Sequence, residues 1–329
     1  MSNNTLAIDE STAPLPPRSH ARISLSTIPS VIIIALVSLV QSYLLRDHVQ
    51  VGDGIAYNAM YDALKGLNFL DGYEAFQDGI GASEFFSYVI FYLAAQLLSY
   101  DAFIYLTNLG LTFAIYAVYR HYGKNVVWFL VSVPLNFYFL AVCFGAQRLK
   151  LGLMFLMMTV CLSRSSCRKL SAALALFSHF QLIIIFVAER IRSFFTGAAK
   201  LPVIELLAVA AVCVSIFFTV PVLQLKVLSY VLERGDINLV TFGASFLIVA
   251  YISRFDFGMI AEFMFFLAVI LVIGESRVNI LVFCVMWRLI FLARRRPALV
   301  SYLISLYLSV KGVGFIVDIL NGGTGFGVP

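Results

Sequence analysis

Residues 23–45 read ISLSTIPSVIIIALVSLVQSYLL and contain no charged side chain. Arg22 precedes this run and Arg46 follows it. About 20 apolar residues in a helix are enough to cross the hydrocarbon core of a bilayer. Because no small-residue cleavage site is present, we interpret the run as a retained signal-anchor, with Arg18 and Arg22 in the cytoplasm. The chain is therefore predicted to enter a membrane at its first apolar segment.

Apolar runs also fill most of the remaining chain. Of the 329 residues, 61% are hydrophobic and 12% are charged, and the mean hydropathy is +0.93. Soluble proteins are about 45–50% apolar and about 25% charged, so a soluble globule, a fibrous protein and a disordered chain are excluded. We predict an all-α polytopic membrane protein, a bundle of about nine to eleven transmembrane helices with re-entrant or interfacial segments. The further runs lie at about 85–99, 102–119, 125–144, 149–163, 170–188, 200–221, 240–253, 257–273, 278–293 and 297–319.

The chain divides into one predicted membrane domain and two tails. Residues 1–22 are polar and form a cytoplasmic tail, residues 23–320 form the domain, and the glycine-rich residues 321–329 form a flexible tail. The loop 46–84 carries seven of the eighteen acidic residues, which places it on the extracytoplasmic face. Its Asp-Gly pairs at 53–54, 71–72 and 78–79 indicate turns.

Charge placement conflicts with simple alternation of crossings at two runs. The run 85–98 is only about 14 residues long, which is typical of an interfacial or re-entrant segment. The run 170–188 joins two basic flanks that both look cytoplasmic, and Ser178–Gln181 interrupts it. It either crosses once against the charge rule, or it is re-entrant with His179 near its tip. Non-helical backbone at that depth requires burial in protein or contact with water, so both conflicts point to a polar cavity.

Three ionisable residues lie between or within apolar runs, where such groups are costly and mark functional sites. Arg148, after Gln147, sits in a short polar link that we place on the outer face; it can clamp a phosphate, or anchor a helix end by snorkelling. His179 can shuttle a proton, hold a phosphate or be a hydrogen-bonded core residue. Arg254 can bind an anion, pair with Asp256 or anchor the topology; it lies inside if residues 170–188 are re-entrant and outside if they cross.

The acidic loop offers a candidate general base for a sugar hydroxyl. Asp53 and Tyr57 are four residues apart and would share one face of a helix. Asp53 and Glu84 stand nearest to membrane segments, whereas most of the other acids are solvated surface. The regular spacing of a calcium loop is absent, and the five scattered cysteines predict neither a disulfide framework nor a zinc site. We expect no metal and no cofactor, and the basic clusters require no nucleic acid.

These residues resemble the EpsG/Wzy-type membrane polymerases of bacterial surface polysaccharides. Members carry an acidic, tyrosine-bearing first outer loop, like residues 53–57, and a Glu that opens an apolar stretch, like Glu84. An Arg-Gln pair before a membrane helix and an Ala-x-x-x-His element follow in order, like residues 147–148 and Ala175–His179. The similarity covers roughly residues 50–190. It departs in two places, since the pair is reversed as Gln147-Arg148 and Gln181 stands where a Ser is usual.

The resemblance implies a metal-independent glycosyltransferase with a GT-C-like helical membrane fold in the bacterial inner membrane. Polyprenyl-diphosphate-linked oligosaccharides would be donor and acceptor, joined at the outer face, with a flippase and a chain-length regulator as partners. Arg148 and Arg254 would bind diphosphate, His179 would assist the leaving group, and Asp53 or Glu84 would activate the acceptor hydroxyl. The candidate residues are Asp53, Glu84 and His179 for catalysis, and Tyr57, Gln147, Arg148, Gln181 and Arg254 for substrate binding.

Three other functions remain open from the sequence. A transporter or flippase of lipid-linked sugars would use the same arginines without chemistry, but the paired halves typical of transporters are not visible. A membrane acyltransferase would use His179 with nearby hydroxyls. A structural or partner-binding membrane subunit would need none of these residues.

Overall fold

A computed structural model describes residues 28–48, 54–81, 83–196, 243, 246–247, 250–251, 256–273, 280–281 and 297–323. Within these ranges the chain is mostly α-helical and contains no β-strand. The helices are α1 (Ile28–Arg46), α2 (Gly54–Ala63), α3 (Phe69–Ile80), α4 (Phe85–Leu97), α5 (Tyr100–His121), α6 (Val126–Ser132), α7 (Phe137–Gly145), α8 (Gln147–Cys161), α9 (Ser165–Ser178), α10 (Ile183–Phe195), α11 (Phe257–Ile273) and α12 (Pro297–Leu320). The tail 1–22 lies outside the described residues, as do residues 324–329.

Three of these helices are long and apolar enough to cross a membrane: α1, α5 and the Tyr302–Leu320 part of α12. Two bent pairs raise the number to five if each pair is one span. The pair α3 and α4 meets at 110°, and the pair α6 and α7 at 76°. These helices support a polytopic membrane protein by length and composition.

Helix α1 has its apolar side outward and its polar side inward, the reverse of a soluble helix. Ile32 and Leu36 are exposed at 52% and 56%, whereas Ser38 and Ser42 are buried. Asn108 Nδ2 donates to Ser42 Oγ at 3.0 Å, which ties α1 to α5. An apolar exterior with hydrogen bonds between buried polar side chains suits a helix pair in lipid.

The acidic loop folds into two helices, so the turns predicted at 71–72 and 78–79 are wrong. Asn68 caps α3 by accepting from the backbone N–H of Asp71 at 3.0 Å, which places Asp71 in the first helical turn. Gly72 and Gly79 are packing residues, because a Cβ on Gly72 would lie 2.9 Å from Tyr88 Oη and one on Gly79 3.3 Å from Met60 Cβ. The helix ends at Gly81, where φ is 55°.

The run 125–144 is broken rather than continuous. Helix α6 ends at Ser132, just before Pro134, and Asn136 caps α7 by accepting from the backbone N–H of Tyr138 at 2.9 Å. Proline has no N–H to donate and disfavours helical backbone in the residue before it. Gly312 of α12 packs directly on the break, where a Cβ would clash with the carbonyl of Leu135.

The interruption predicted at Ser178–Gln181 is present. Helix α9 ends at Ser178, His179 is extended with φ −158° and ψ 106°, and one 3₁₀ turn over Phe180–Leu182 leads into α10. Helix α8 packs between α5 and α9, so the extended residue faces the first turns of α8. Whether this segment crosses or re-enters the membrane stays a prediction.

Candidate functional site

The Glu84 carboxylate is the centre of a buried cluster formed by α2, α4, α8 and the break after α9. Its Oε2 accepts a hydrogen bond from Arg148 Nη1 at 2.5 Å, and its Oε1 lies 3.4 Å from His179 Nδ1. The side chains of Glu84 and Arg148 are 9% and 7% exposed, and that of His179 is 12% exposed. Three residues widely separated in sequence therefore meet in one largely dehydrated place.

Tyr57 binds the Nε side of the Arg148 guanidinium, while Glu84 binds Nη1. Arg148 Nε donates to Tyr57 Oη at 2.8 Å, and the Tyr57 ring stacks on Phe91 with centroids 5.5 Å apart. The planar guanidinium is thus held on two sides, at Nε and at Nη1, by groups on α2 and just before α4. Its other N–H groups make no bond to the residues that the structure describes, so they can donate to a ligand.

Gln181 faces the other side of the imidazole. His179 Nε2 and Gln181 Oε1 are 3.1 Å apart, so the ring lies between the carboxylate of Glu84 and this amide. An imidazole protonated on Nδ1 points that proton at Glu84, and the Gln181 amide can present its NH₂ to Nε2 by a half-turn. A carboxylate behind an imidazole is the arrangement that orients a histidine general base and stabilises its cation.

Two contacts hold His179 in place. Ser87 Oγ donates to the carbonyl oxygen of Ser178 at 2.7 Å, which joins α4 to the break. On α8, a Cβ at Gly152 would lie 2.6 Å from Leu182 Cδ1 and 3.3 Å from His179 Cβ. Only glycine lets α8 approach this closely, and Gly152 is one helical turn after Arg148.

The polar link that contains Gln147 and Arg148 is helical and buried, whereas its place on the outer face stays a prediction. It forms the first turn of α8, and Gln147, Arg148 and Lys150 are exposed at 1%, 6% and 0%. The link is buried because α8 begins directly after Ala146, between α5 and α9. The guanidinium therefore points into the protein and does not snorkel towards an interface.

Lys150 belongs to a buried polar network that sequence reasoning misses. Its Nζ donates to Asn108 Oδ1 at 2.7 Å and to the carbonyl of Cys143 at 3.1 Å. Asn108 bonds in turn to Ser42, so the network links α1, α5, α7 and α8. The sequence does show that Lys150 lies two residues after Arg148, a predicted ligand-binding residue. It does not show the partner of Lys150, because Asn108 lies 42 residues away.

Two predicted site residues, Asp53 and Arg254, lie outside the described residues. Asp256 caps α11, since its Oδ1 accepts from the backbone N–H of Met259 at 2.9 Å, and its pairing with Arg254 stays a prediction. Glu262 on α11 is buried and lies 4.0 Å from Arg192 of α10. The structure thus brings together Tyr57, Glu84, Arg148, His179 and Gln181, with Gln147 at the edge of the group.

Aromatic residues pack against one another on the side of the cluster that faces the acidic loop. Tyr61 and Phe103 pack 5.5 Å apart, and Phe91 lies between them and Tyr57. Burial, and then the charge of Asp62, raise the pKa of Tyr61 to about 12, so its hydroxyl stays protonated and donates to the carbonyl of Leu98. Among the described residues no group of three His, Cys, Asp or Glu side chains could hold a metal ion.

The cluster can carry out proton transfer and can bind an anion. Glu84 and Arg148 neutralise each other, so an added phosphate would be attracted mainly by unused guanidinium N–H groups and by a protonated His179. Low exposure strengthens each of these interactions. No family model, no curated protein and no solved structure matches this chain.

Proposed function

We propose that this chain is a membrane polymerase that joins polyprenyl-diphosphate-linked oligosaccharide units into a polysaccharide. The proposal includes a GT-C-like bundle of about nine to eleven transmembrane helices in a bacterial inner membrane, with the site open to the outer face. The observation that carries it is the contact of Glu84 with both Arg148 and His179. These three residues match, in order, the elements of the EpsG/Wzy-type resemblance.

In this proposal a hydroxyl of the acceptor unit attacks the anomeric carbon of the donor oligosaccharide. The bond from that carbon to the diphosphate oxygen breaks, and polyprenyl diphosphate leaves with the bond electrons. Arg148 stabilises the negative charge on the leaving group through its unused N–H groups, as guanidinium does for phosphate. No metal is required for that stabilisation.

We assign removal of the hydroxyl proton to His179 rather than to Glu84, at an Nε2 that exchanges its contact with Gln181 for the hydroxyl. Both carboxylate oxygens of Glu84 are engaged, Oε2 by the guanidinium and Oε1 beside the imidazole. A carboxylate beside an imidazole orients it and stabilises its cation. We therefore assign Glu84 to positioning, while the roles of Asp53 in acceptor activation and Arg254 in diphosphate binding rest on the resemblance.

Substitution of the two cluster residues in cells tests the proposal. Arg148→Ala or His179→Ala, expressed at the normal level, should abolish long polymer and leave single repeat units. Arg164→Ala is a matched control, because Arg164 is exposed before α9. Wild-type chain lengths in both cluster variants would exclude these residues from the site.

A membrane acyltransferase is the second candidate, because a carboxylate next to an imidazole also serves acyl transfer. The purified protein can be given lipid-linked repeat units or an acyl donor with a hydroxyl acceptor. Polymer formation favours the polymerase, and transfer of the acyl group favours the second candidate. Binding of lipid-linked units without turnover favours a transporter. Acyl transfer does not require the guanidinium of Arg148, whose presence in the cluster supports the polymerase.

A further inference from the structure

A cavity lies beside the buried cluster, between the end of α1, α2, the start of α5 and the junction of α7 with α8. Its volume is about 260 Å³. The cavity and the cluster share two helices. Asn58 and Gln147 line the cavity, and their sequence neighbours Tyr57 and Arg148 belong to the cluster. We call this cavity the Gln147 cleft. Its main lining residues are Arg46, Asn58, Tyr100, Ile104, Phe144 and Gln147.

Gln147 lines the cleft and carries a hydrogen-bond acceptor that is not in use. The residue is 1% exposed, and its Nε2 donates to the carbonyls of Cys143 at 3.3 Å and Phe144 at 3.0 Å. These two acceptors fix the orientation of the amide. Its Oε1 is buried and has no hydrogen-bond partner among the described residues. A buried acceptor without a donor is costly, so a ligand that brings a donor would be favoured.

Arg46 has an N–H donor that is not in use, and the positive charge of its guanidinium is neutralised by two neighbouring carboxylates. Its terminal nitrogens pair with Asp47 at 3.0 Å and with Asp101, and its guanidinium lies 5.9 Å from the centre of the Tyr100 ring. Its Nε is buried and has no partner in the part of the chain that the structure describes. Because two carboxylates neutralise this arginine, the cleft is a poor site for an anion.

We propose that the Gln147 cleft binds carbohydrate hydroxyl groups, and that the sugar it holds is the acceptor of the proposed polymerase. A hydroxyl both donates and accepts, so it can satisfy Gln147 Oε1 and Arg46 Nε. A fully ionised phosphate has acceptors only and leaves the Gln147 oxygen unpaired. The planar amide of Asn58 and the aromatic side chain of Tyr100 both line the cleft, and they suit a sugar ring with one polar edge and one apolar face. The acceptor role rests on the proposed function, whereas the binding of hydroxyls does not.

The binding of simple glycosides to the full chain in detergent tests this inference. The probes are the methyl glycosides of glucose, galactose, mannose, rhamnose and N-acetylglucosamine, followed by saturation-transfer NMR titration. Gln147→Met removes the unused acceptor and should weaken binding of the best glycoside at least fivefold. Asn58→Leu should also weaken glycoside binding. Because Asn58 is exposed on α2, this variant should fold even if Gln147→Met does not. Gln77→Met on α3 is the matched control and should bind like the wild type.

The two variants separate the cleft from the proposed function. Glycoside binding that is weakened in every cleft variant that folds supports the cleft, even if no polymer forms with lipid-linked units. The absence of glycoside binding, equal affinity in the three variants, or displacement of the glycoside by inorganic pyrophosphate overturns the cleft. In those cases polymer formation by the purified protein would leave the proposed function standing.

Discussion

Glu84 and Arg148 form a buried ion pair at 2.5 Å, although 64 residues separate them in the sequence. The pair joins the residue that precedes α4 to the first turn of α8, and His179 contacts the same carboxylate. Removal of one partner from a buried pair destabilises a protein by about 3–5 kcal/mol. Substitutions at these positions can therefore act on the fold as well as on the reaction, and only conservative variants measured beside disruptive ones separate the two effects.

Glu84→Gln should keep the fold and slow polymer formation. The glutamine oxygen can still accept from Arg148, but it has no charge to stabilise a cation on His179. Glu84→Ala should instead lower the free energy of unfolding by about 3–5 kcal/mol, because it leaves the guanidinium buried without its carboxylate. Thermal unfolding in detergent and polymer chain length measure the two effects. Glu74→Gln, on the exposed side of α3, should change neither, and a chain length unaltered by Glu84→Gln would remove Glu84 from the site.

Arg148→Lys should reduce polymer formation by roughly a hundredfold, since a lysine cannot bond to Tyr57 and Glu84 in the same fork and cannot hold a diphosphate with two parallel bonds. The positive charge is kept, so the loss would report geometry rather than charge. Polymer yield at equal expression is the measurement. Arg164→Lys, on an exposed residue before α9, is the control, and a wild-type yield from Arg148→Lys would contradict a guanidinium-specific role.

Gly152→Ala should impair the reaction while the Glu84–Arg148 pair stays intact. The added methyl would lie 2.6 Å from Leu182 Cδ1 and 3.3 Å from His179 Cβ, so the Leu182 side chain has to shift and the imidazole is crowded. A displacement of the imidazole by about 1 Å can lower the reaction rate about a hundredfold. Gly314→Ala is the matched control, because no atom lies within 4 Å of the place that its methyl group would occupy in α12. Equal polymer yields from the two variants would argue against close packing of α8 on His179 as a requirement.

Lys150 and Asn108 should be coupled in stability. Asn108→Leu leaves the Lys150 amino group buried with only the Cys143 carbonyl, and we expect a loss of about 1–3 kcal/mol. The double variant Asn108→Leu with Lys150→Met replaces both partners by apolar groups and should regain most of that loss. Unfolding of the four proteins of the cycle measures the coupling. Additive effects would show that the two side chains contribute independently.

The sequence points to the cluster because ionisable side chains beside apolar runs are rare and costly. Glu84, Arg148 and His179 stand out on that ground alone, and the break at His179 follows from the polar residues around it. The pairing of these residues is not visible in the sequence. The contacts of Glu84 with residues 64 and 95 positions later depend on how α4, α8 and α9 pack.

The acidic loop shows why local signals fail elsewhere. Asp71-Gly72 and Asp78-Gly79 have the composition of turns, yet both lie inside α3, where Gly72 and Gly79 are in close contact with Tyr88 and Met60. The reason for these glycines is a tertiary contact that no local pattern reveals. The role of Lys150 cannot be predicted from local sequence for the same reason, because the Asn108 oxygen that accepts its hydrogen bond lies on another helix.

Release of polyprenyl diphosphate by the purified full chain in liposomes, given lipid-linked repeat units, tests the central claim most directly. We expect one released polyprenyl diphosphate for each new glycosidic bond, and loss of both products in His179→Gln and Arg148→Lys proteins that remain folded. Polymer formation by those two variants at the wild-type rate, or no release by the wild type under conditions where it binds the lipid-linked units, would contradict the account.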